Sequence, residues 1–225
     1  GGGSVRVSPY HPKITMPAKE RHYGIAPFMA VMEQERQLYD IRIRMALEYI
    51  RANDVNRLSG AKDARIGVVA AGKAWQDLNQ ALGGMGFDGK TLGGEPVRLL
   101  KVGVVWPLDD AIVKEFAKGL ETIIVVEEKR PLLEDQIRAH LYGTPDAPRI
   151  VGKTFDGHVY AANRGELAFP NIGEIDPNMI AGVLGRMVKE QNPAATIALP
   201  NQPTGAAILG GGALRMPSFC AGCPP

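Results

Sequence analysis

Cysteine is nearly absent from this sequence, since only Cys220 and Cys223 occur among 225 residues. A disulfide framework is therefore excluded, and a reducing compartment such as the cytoplasm is expected. No apolar run approaches the roughly 20 residues needed to span a bilayer, and the first residues lack the features of a signal peptide. The formal net charge is only +2 and no block of lysine or arginine forms a stripe, which argues against nucleic acid as a partner.

The residues that are present are typical of a globular protein, with 45% hydrophobic and 22% charged side chains. Residues 1–27 carry four prolines and no apolar period, which predicts an extended arm or linker. Residues 28–63 are predicted to form a helical connector, because apolar residues such as Leu38, Ile41 and Met45 recur every three or four positions. Residues 193–225 are rich in glycine, proline and alanine and predict a second extended arm.

The segment 64–153 alternates short apolar runs with amphipathic helices. The runs are too short for helices and rich in β-branched residues, and they cover residues 66–70, 97–105, 122–126 and 149–152. Continuous apolar strands separated by helices indicate a sheet that is covered on both sides. The sequence therefore predicts an α/β fold with three layers, in which a mostly parallel sheet carries helices on both faces.

Capping residues mark where the helices begin. Asp109 or Asp110 is expected to cap the helix over residues 112–120, and Pro131 to open the next helix at a first-turn position. Residues 154–192 are predicted to add a helical extension or insertion, in which Asp176 is the N-cap and Pro177 lies in the first turn.

The motif with the most chemical information is Cys220-Ala221-Gly222-Cys223. Two thiolates at this spacing can face one metal ion or iron–sulfur cluster, and the intervening glycine allows a tight turn. A complete cluster site usually takes four cysteines, so the pair is half a site at most and predicts that the natural chain continues. A redox disulfide of the thioredoxin type and two ordinary thiols remain as alternatives.

A second group of candidates follows the predicted strands, at the edge where α/β sheets usually bind ligands. Gly72 and Lys73 lie between the first strand and its helix, and Glu127 and Glu128 follow the third strand. These residues could bind a ligand or form an interface; the simpler interpretations are a tight turn and a solvated charge cluster at a helix start. The spacing of a P-loop is absent, and no acidic residue completes a dinucleotide fingerprint. A small nucleotide-binding enzyme is therefore the weakest interpretation, and no residue can be named as catalytic.

Four blocks of sequence resemble the fused indolepyruvate:ferredoxin oxidoreductases, which belong to the thiamine-diphosphate-dependent 2-oxoacid oxidoreductases. The blocks are ARIGVV (64–69) with GK (72–73), KVGVVWPL (101–108), IVVEEKR (124–130) with EDQ (134–136), and RMPSFCAGCP (215–224). They occur in the family's order, whereas residues 154–200 match only loosely. The resemblance implies that residues 64–153 form a domain similar to the transketolase C-terminal domain.

The same resemblance implies what the parent protein contains. Cys220 and Cys223 would be two ligands of a [4Fe-4S] cluster, although Pro225 stands where the family commonly has histidine. The parent enzyme would use thiamine diphosphate, magnesium and [4Fe-4S] clusters, with coenzyme A as co-substrate and ferredoxin as electron acceptor. This chain alone would bind no cofactor, and its partners would be other domains or subunits of a homo-oligomer.

The implied function is that of a non-catalytic scaffold or interface domain in an enzyme that oxidatively decarboxylates 2-oxoacids to acyl-CoA. The alternative is a stand-alone subunit-binding or assembly module that uses the α/β fold to hold a partner chain.

Overall fold

A computed structural model of the chain describes residues 31–157 and 166–198. Both predicted arms therefore lie almost entirely outside the described residues, as do Cys220 and Cys223. The described part begins with one long helical segment, as the spacing of apolar residues predicts. It consists of α1 (Val31–Gln37), a π-helical turn (Leu38–Arg42) and α2 (Ile43–Ala52).

The rest of the described residues form six strands and four further helices. In chain order they are β1 (Arg57–Gly60), β2 (Ile66–Ala71), α3 (Gly72–Gly84), β3 (Thr91–Leu92), β4 (Glu95–Val102), α4 (Asp110–Ala117), β5 (Thr122–Val126), α5 (Leu132–Leu141), β6 (Arg149–Val151) and α6 (Pro177–Gln191). The sheet has the order β1-β4-β2-β5-β6, with β3 added to β4. The pairs β2–β4, β2–β5 and β5–β6 are parallel, and β1 and β3 are antiparallel to β4.

Two apolar cores lie on opposite faces of this sheet. On one face α3 and α6 pack against the side chains of Ile66, Val68 and Ile124. On the other face α4 and α5 cover Val69, Ile123 and the neighbouring apolar side chains. Because side chains alternate between the faces of a strand, the fully buried strand β5 supplies both cores. The predicted α/β fold with three layers and a mostly parallel sheet is confirmed.

The predicted helix caps are confirmed as well. Asp109 accepts the amide of Ala111 at the start of α4, and Asp176 accepts the amides of Asn178 and Met179 at the start of α6. Pro177 is the first residue of α6, where its missing amide hydrogen costs nothing. Pro131 differs from its prediction, since it is the N-cap residue of α5 and lies one residue before the first turn.

Two features of the sheet differ from the sequence prediction. Strand β1 lies inside the predicted helical connector. The sequence does not reveal this strand, because its four residues are mostly exposed and carry no apolar alternation. The predicted run 97–105 ends as a strand at Val102, since the side chain of Asn56 accepts the amides of Gly103 and Val104 at 2.9 and 3.4 Å. Those two amides are thereby diverted from the sheet ladder.

Helix α6, which the sequence places in an extension, packs against α3 and shares its core with β2 and β5. It therefore completes one of the two outer layers. The division of the chain into five regions stays a prediction. None of the described helices is long and apolar enough to cross a membrane.

Candidate functional site

The parallel strands end together at one edge of the sheet, where a crevice opens between β2 and β5. Helix α3 leads from β2 to its neighbour β4, whereas α5 leads from β5 to β6 in the opposite direction and on the opposite face. The gap between β2 and β5 is therefore the topological switch point, where open α/β sheets bind their ligands. This switch-point crevice has a volume of about 260 Å³ and is lined by residues of the 71–74 turn, by residues of the segment 127–133 and by Val105.

Lys73 and Glu128, both predicted candidates, meet at the mouth of this crevice. The Nζ atom of Lys73 lies 3.0 Å from Oε1 of Glu128 and 2.8 Å from Oδ2 of Asp77, and it also donates to the carbonyl of Ile175 at 3.1 Å. Hydrogen bonding to Asp77 and Glu128 raises the pKa of Lys73, and the bond from Lys73 lowers the pKa of Glu128. The pair is thus charged over the physiological range and joins α3 to the segment after β5.

Glu127 points away from that pair and is buried. Its two carboxylate oxygens accept the amides of Leu133 and Glu134 at 2.8 and 2.9 Å, in the first turn of α5. Burial raises the pKa of Glu127, and the two amide bonds oppose that rise. The carboxylate therefore caps a helix from a buried position and is not part of a solvated cluster.

Lys153 and Glu134 complete this buried group, and sequence reasoning missed both. Lys153 is 1% exposed, and its Nζ donates to the carbonyl of Glu127 at 2.6 Å. Glu134 is fully buried and accepts the amide of Lys153 at 3.0 Å and Arg138 at 2.7 Å. Burial lowers the pKa of Lys153. Lys153 directly follows the fourth predicted strand, which is β6 in the structure, and this position is the signal that could have identified it.

Gly72 starts α3 with a φ of +54°, a conformation that favours glycine. No heavy atom lies within 4 Å of the place where its Cβ would be, so backbone conformation and not crowding requires glycine there. Of the four predicted candidates, Lys73, Glu127 and Glu128 line the crevice, whereas Gly72 forms the turn beside it. Whether any of them binds a ligand stays a prediction.

The described residues provide no metal centre, because residues 31–157 and 166–198 contain no group of three or more histidine, cysteine, aspartate or glutamate side chains suited to a metal ion. Three larger cavities among the described residues, of about 700, 500 and 430 Å³, lie at the opposite edge of the sheet. They are open surface depressions beside the α4–β5 loop, beside the start of β6 and beside the end of β1.

Two solved structures show partial likeness to the chain. One is a split-gene transketolase, with a TM-score of 0.38 and 16% identity over 58% of this chain and 40% of the other. The second is the 2-oxoglutarate:ferredoxin oxidoreductase from Magnetococcus marinus, with a TM-score of 0.40 and 13% identity over 70% of this chain and 23% of the other.

Sequence relatives are more informative. The indolepyruvate oxidoreductase subunit IorA of Pyrococcus horikoshii is 28% identical over 50% of this chain and 16% of its own length. Its namesake in Methanothermobacter thermautotrophicus is 27% identical over 78% of this chain and 24% of its own length. The chain thus spans no more than about a quarter of these relatives. The family model described as the indolepyruvate oxidoreductase domain matches residues 56–200, which is more than half of the chain. The chain belongs to the indolepyruvate oxidoreductase domain family.

Proposed function

We propose that this chain is a non-catalytic scaffold and interface domain of a 2-oxoacid:ferredoxin oxidoreductase of the indolepyruvate type. The parent enzyme would oxidatively decarboxylate 2-oxoacids to acyl-CoA and pass the electrons to ferredoxin. The observation that carries the proposal is the family match over residues 56–200, together with the small share of each relative that the chain covers. The domain would contribute structure to a reaction whose cofactors are held elsewhere.

The bonding of the charged side chains at the carboxyl edge supports the non-catalytic role. Glu127 holds two helix amides, Glu134 holds Lys153 and Arg138, and Lys73 has three acceptors within about 3.1 Å. A general acid or base needs a proton that can reach a substrate. Among these groups, the side chains whose pKa is shifted are buried or already paired.

Exposed apolar side chains on the first helical segment support the interface role. Val31, Met32, Tyr39 and Tyr49 are all largely exposed, with Met32 at 75%. Exposed apolar surface of this kind is typical of a surface that meets another domain or subunit. We therefore propose that the segment 31–52 faces another part of the oxidoreductase, which would assemble as a homo-oligomer.

Cys220 and Cys223 are proposed as two ligands of a [4Fe-4S] cluster in the parent enzyme. Thiamine diphosphate with magnesium would supply the stabilised carbanion that protein side chains cannot provide, and clusters carry electrons singly. The described residues contain no group of side chains suited to a metal ion, and no step of the reaction is assigned to them.

The test is to isolate the natural protein that contains this sequence from its source cells, with an antibody raised against the chain. We expect a polypeptide several times larger than 24.2 kDa that contains thiamine diphosphate and iron and reduces ferredoxin when supplied with an arylpyruvate and coenzyme A. The chain on its own should show none of this turnover.

Two outcomes would count against the proposal. Turnover by the isolated chain would show that the domain is catalytic. A natural polypeptide of about the size of this chain that co-purifies with a second protein, without thiamine diphosphate, would favour the stand-alone assembly module.

A further inference from the structure

The switch-point crevice contains one charge that no described residue balances. Arg130 lines the crevice and is exposed, and its guanidinium makes no hydrogen bond or ion pair with any residue in the described ranges 31–157 and 166–198. The other charges there are matched, since Glu128 pairs with Lys73 and Glu127 holds the amides of α5. The unbalanced charge is therefore positive, and a guanidinium binds planar or tetrahedral oxyanions with two parallel hydrogen bonds.

Apolar side chains form the remaining walls of the crevice. Ala71 and Ala74 lie on the β2–α3 side, and Val105 and Leu132 lie on the other sides with exposed fractions of 39% and 37%. A volume of about 260 Å³ is at or below the lower end for small-molecule sites, which excludes a dinucleotide and favours a compact ligand.

We infer that the switch-point crevice binds a small organic oxyanion, a carboxylate or phosphate ester with a short apolar body, whose oxygens contact Arg130. The apolar body lies against Val105 and Leu132. This inference goes beyond the proposed scaffold role and does not depend on it, because binding is measured on the chain itself.

Calorimetric titration of the full 225-residue chain with four probes tests the inference. Phenylacetate and phenyl phosphate carry both an oxyanion and an apolar body, inorganic phosphate lacks the body, and benzylamine carries the opposite charge. We expect the aryl anions to bind about tenfold or more tightly than inorganic phosphate, since burying a phenyl group adds more than 1.4 kcal/mol. Benzylamine should not bind, and added salt should weaken the aryl anions. The difference between phenylacetate and phenyl phosphate identifies the preferred headgroup.

Three variants separate a specific site from general surface attraction. Arg130→Gln should weaken binding of the aryl anions about tenfold or more, the usual effect of removing one charged hydrogen-bond donor. Glu128→Gln should strengthen binding, because it removes a negative charge from the lining while keeping an acceptor for the Ile175 amide. Lys189→Gln removes the same charge from the far end of α6 and should leave binding unchanged.

The opposite signs expected for Arg130→Gln and Glu128→Gln are the decisive result. If the crevice had only a structural role, the two substitutions would not change the affinity for the aryl anions in opposite directions. Equal affinity of the wild type and Arg130→Gln, or inorganic phosphate binding as tightly as phenyl phosphate, would overturn the inference. So would the absence of any heat of binding at millimolar concentrations of both aryl anions.

Discussion

At the scale of single residues, the buried side chains of Glu127 and Lys153 should make the stability of the protein depend on pH. Glu127, Glu134 and Lys153 are buried side by side and joined by hydrogen bonds. The carboxylate of Glu127 accepts the amide of Glu134, the carboxylate of Glu134 accepts the amide of Lys153, and Nζ of Lys153 donates to the carbonyl of Glu127. Removing charge from water is costly, so the charged forms of Glu127 and Lys153 depend on the partners that these side chains retain. Changing one partner should therefore be felt by the others.

The titration of Glu127 should be visible in the stability of the whole chain. Burial raises the pKa of Glu127 above its ordinary value of 4.5, so the native state holds this proton more readily than the unfolded chain. The stability from this carboxyl is fully present below pH 4.5 and is lost as the pH rises through the raised value. In Glu127→Gln this loss should vanish, so the variant gains on the wild type as pH rises. Urea unfolding at a series of pH values measures the difference, with Glu35→Gln on the exposed helix surface as control. A constant difference at all pH values would contradict this expectation.

Lys153 should be coupled energetically to Glu127. Replacing Lys153 with Met keeps most of the volume but leaves two buried glutamates without its ammonium, which should destabilise the fold by about 3 kcal/mol. The double variant Glu127→Gln with Lys153→Met should lose less free energy of unfolding than the sum of the two single variants. The reason is that the Glu127 carboxylate, which lacks a nearby positive charge once Lys153 is replaced, is no longer present. Denaturant unfolding of the four proteins measures this coupling. Exposed Lys189→Met should change stability by less than about 0.5 kcal/mol. Strict additivity would show that the two side chains do not interact.

At the scale of elements, the close packing of α4 on β2 leaves little room for added volume. Gly67 is the second residue of β2, where an added Cβ would overlap the side chain of Leu120 and lie 2.7 Å from Cζ of Phe116. Both neighbours belong to the core between α4 and the sheet. Cores are packed like crystals, so these two side chains would have to shift to admit even one methyl group.

Two glycine substitutions should therefore change stability in opposite directions. Gly67→Ala should destabilise the protein by about 1–3 kcal/mol because it overpacks the interface between β2 and α4. Gly182→Ala, in the exposed side of α6 with no heavy atom within 4 Å, should stabilise it by about 0.5–1 kcal/mol through helix propensity. Thermal unfolding compares both with the wild type. A neutral Gly67→Ala would mean that the side chains of Leu120 and Phe116 can shift without cost.

At the scale of the whole molecule, the first helical segment is joined to the α/β body through a small number of contacts. Arg51, near the end of α2, binds both carboxylate oxygens of Asp109 at 2.7–3.1 Å and Asp110 at 3.2 Å. Asp109 is also the cap of α4, so one buried carboxylate links the two parts. The segment that we propose as an interface is thereby held in a defined position relative to the sheet.

Loss of this link should release α2 without unfolding the sheet. In Arg51→Gln we expect amides of Ile43–Ala52 to exchange with solvent about tenfold faster or more, the equivalent of a lost charged hydrogen bond. Amides of β2 and β5 should keep their protection. Arg44→Gln, a substitution of an exposed arginine of the same helix, is the matched control. Hydrogen exchange followed by mass spectrometry measures both, and equal acceleration in α2 and the sheet would contradict a local role.

How much of the site could be predicted follows from what each residue contacts. Lys73 and Glu128 are placed at the same edge by strand ends alone, because parallel strands bring their carboxyl ends together. The opposite orientations of Glu127 and Glu128 depend on where α5 begins, which is a tertiary contact with the amides of Leu133 and Glu134. The burial of Lys153 depends on β6 pairing with β5, and sequence spacing carries no information about that pairing.

The sequence by itself determined the strands β2 and β5, the helices after them and the caps Asp109 and Asp176, because period, β-branching and capping act within a few neighbouring residues. Only the tertiary structure decided that β1 pairs with β4 and that α6 covers the same face as α3. It also decided which carboxylates are buried. These features depend on contacts between residues far apart in the chain, whose energies come from burial and from hydrogen bonds that form only when the layers meet.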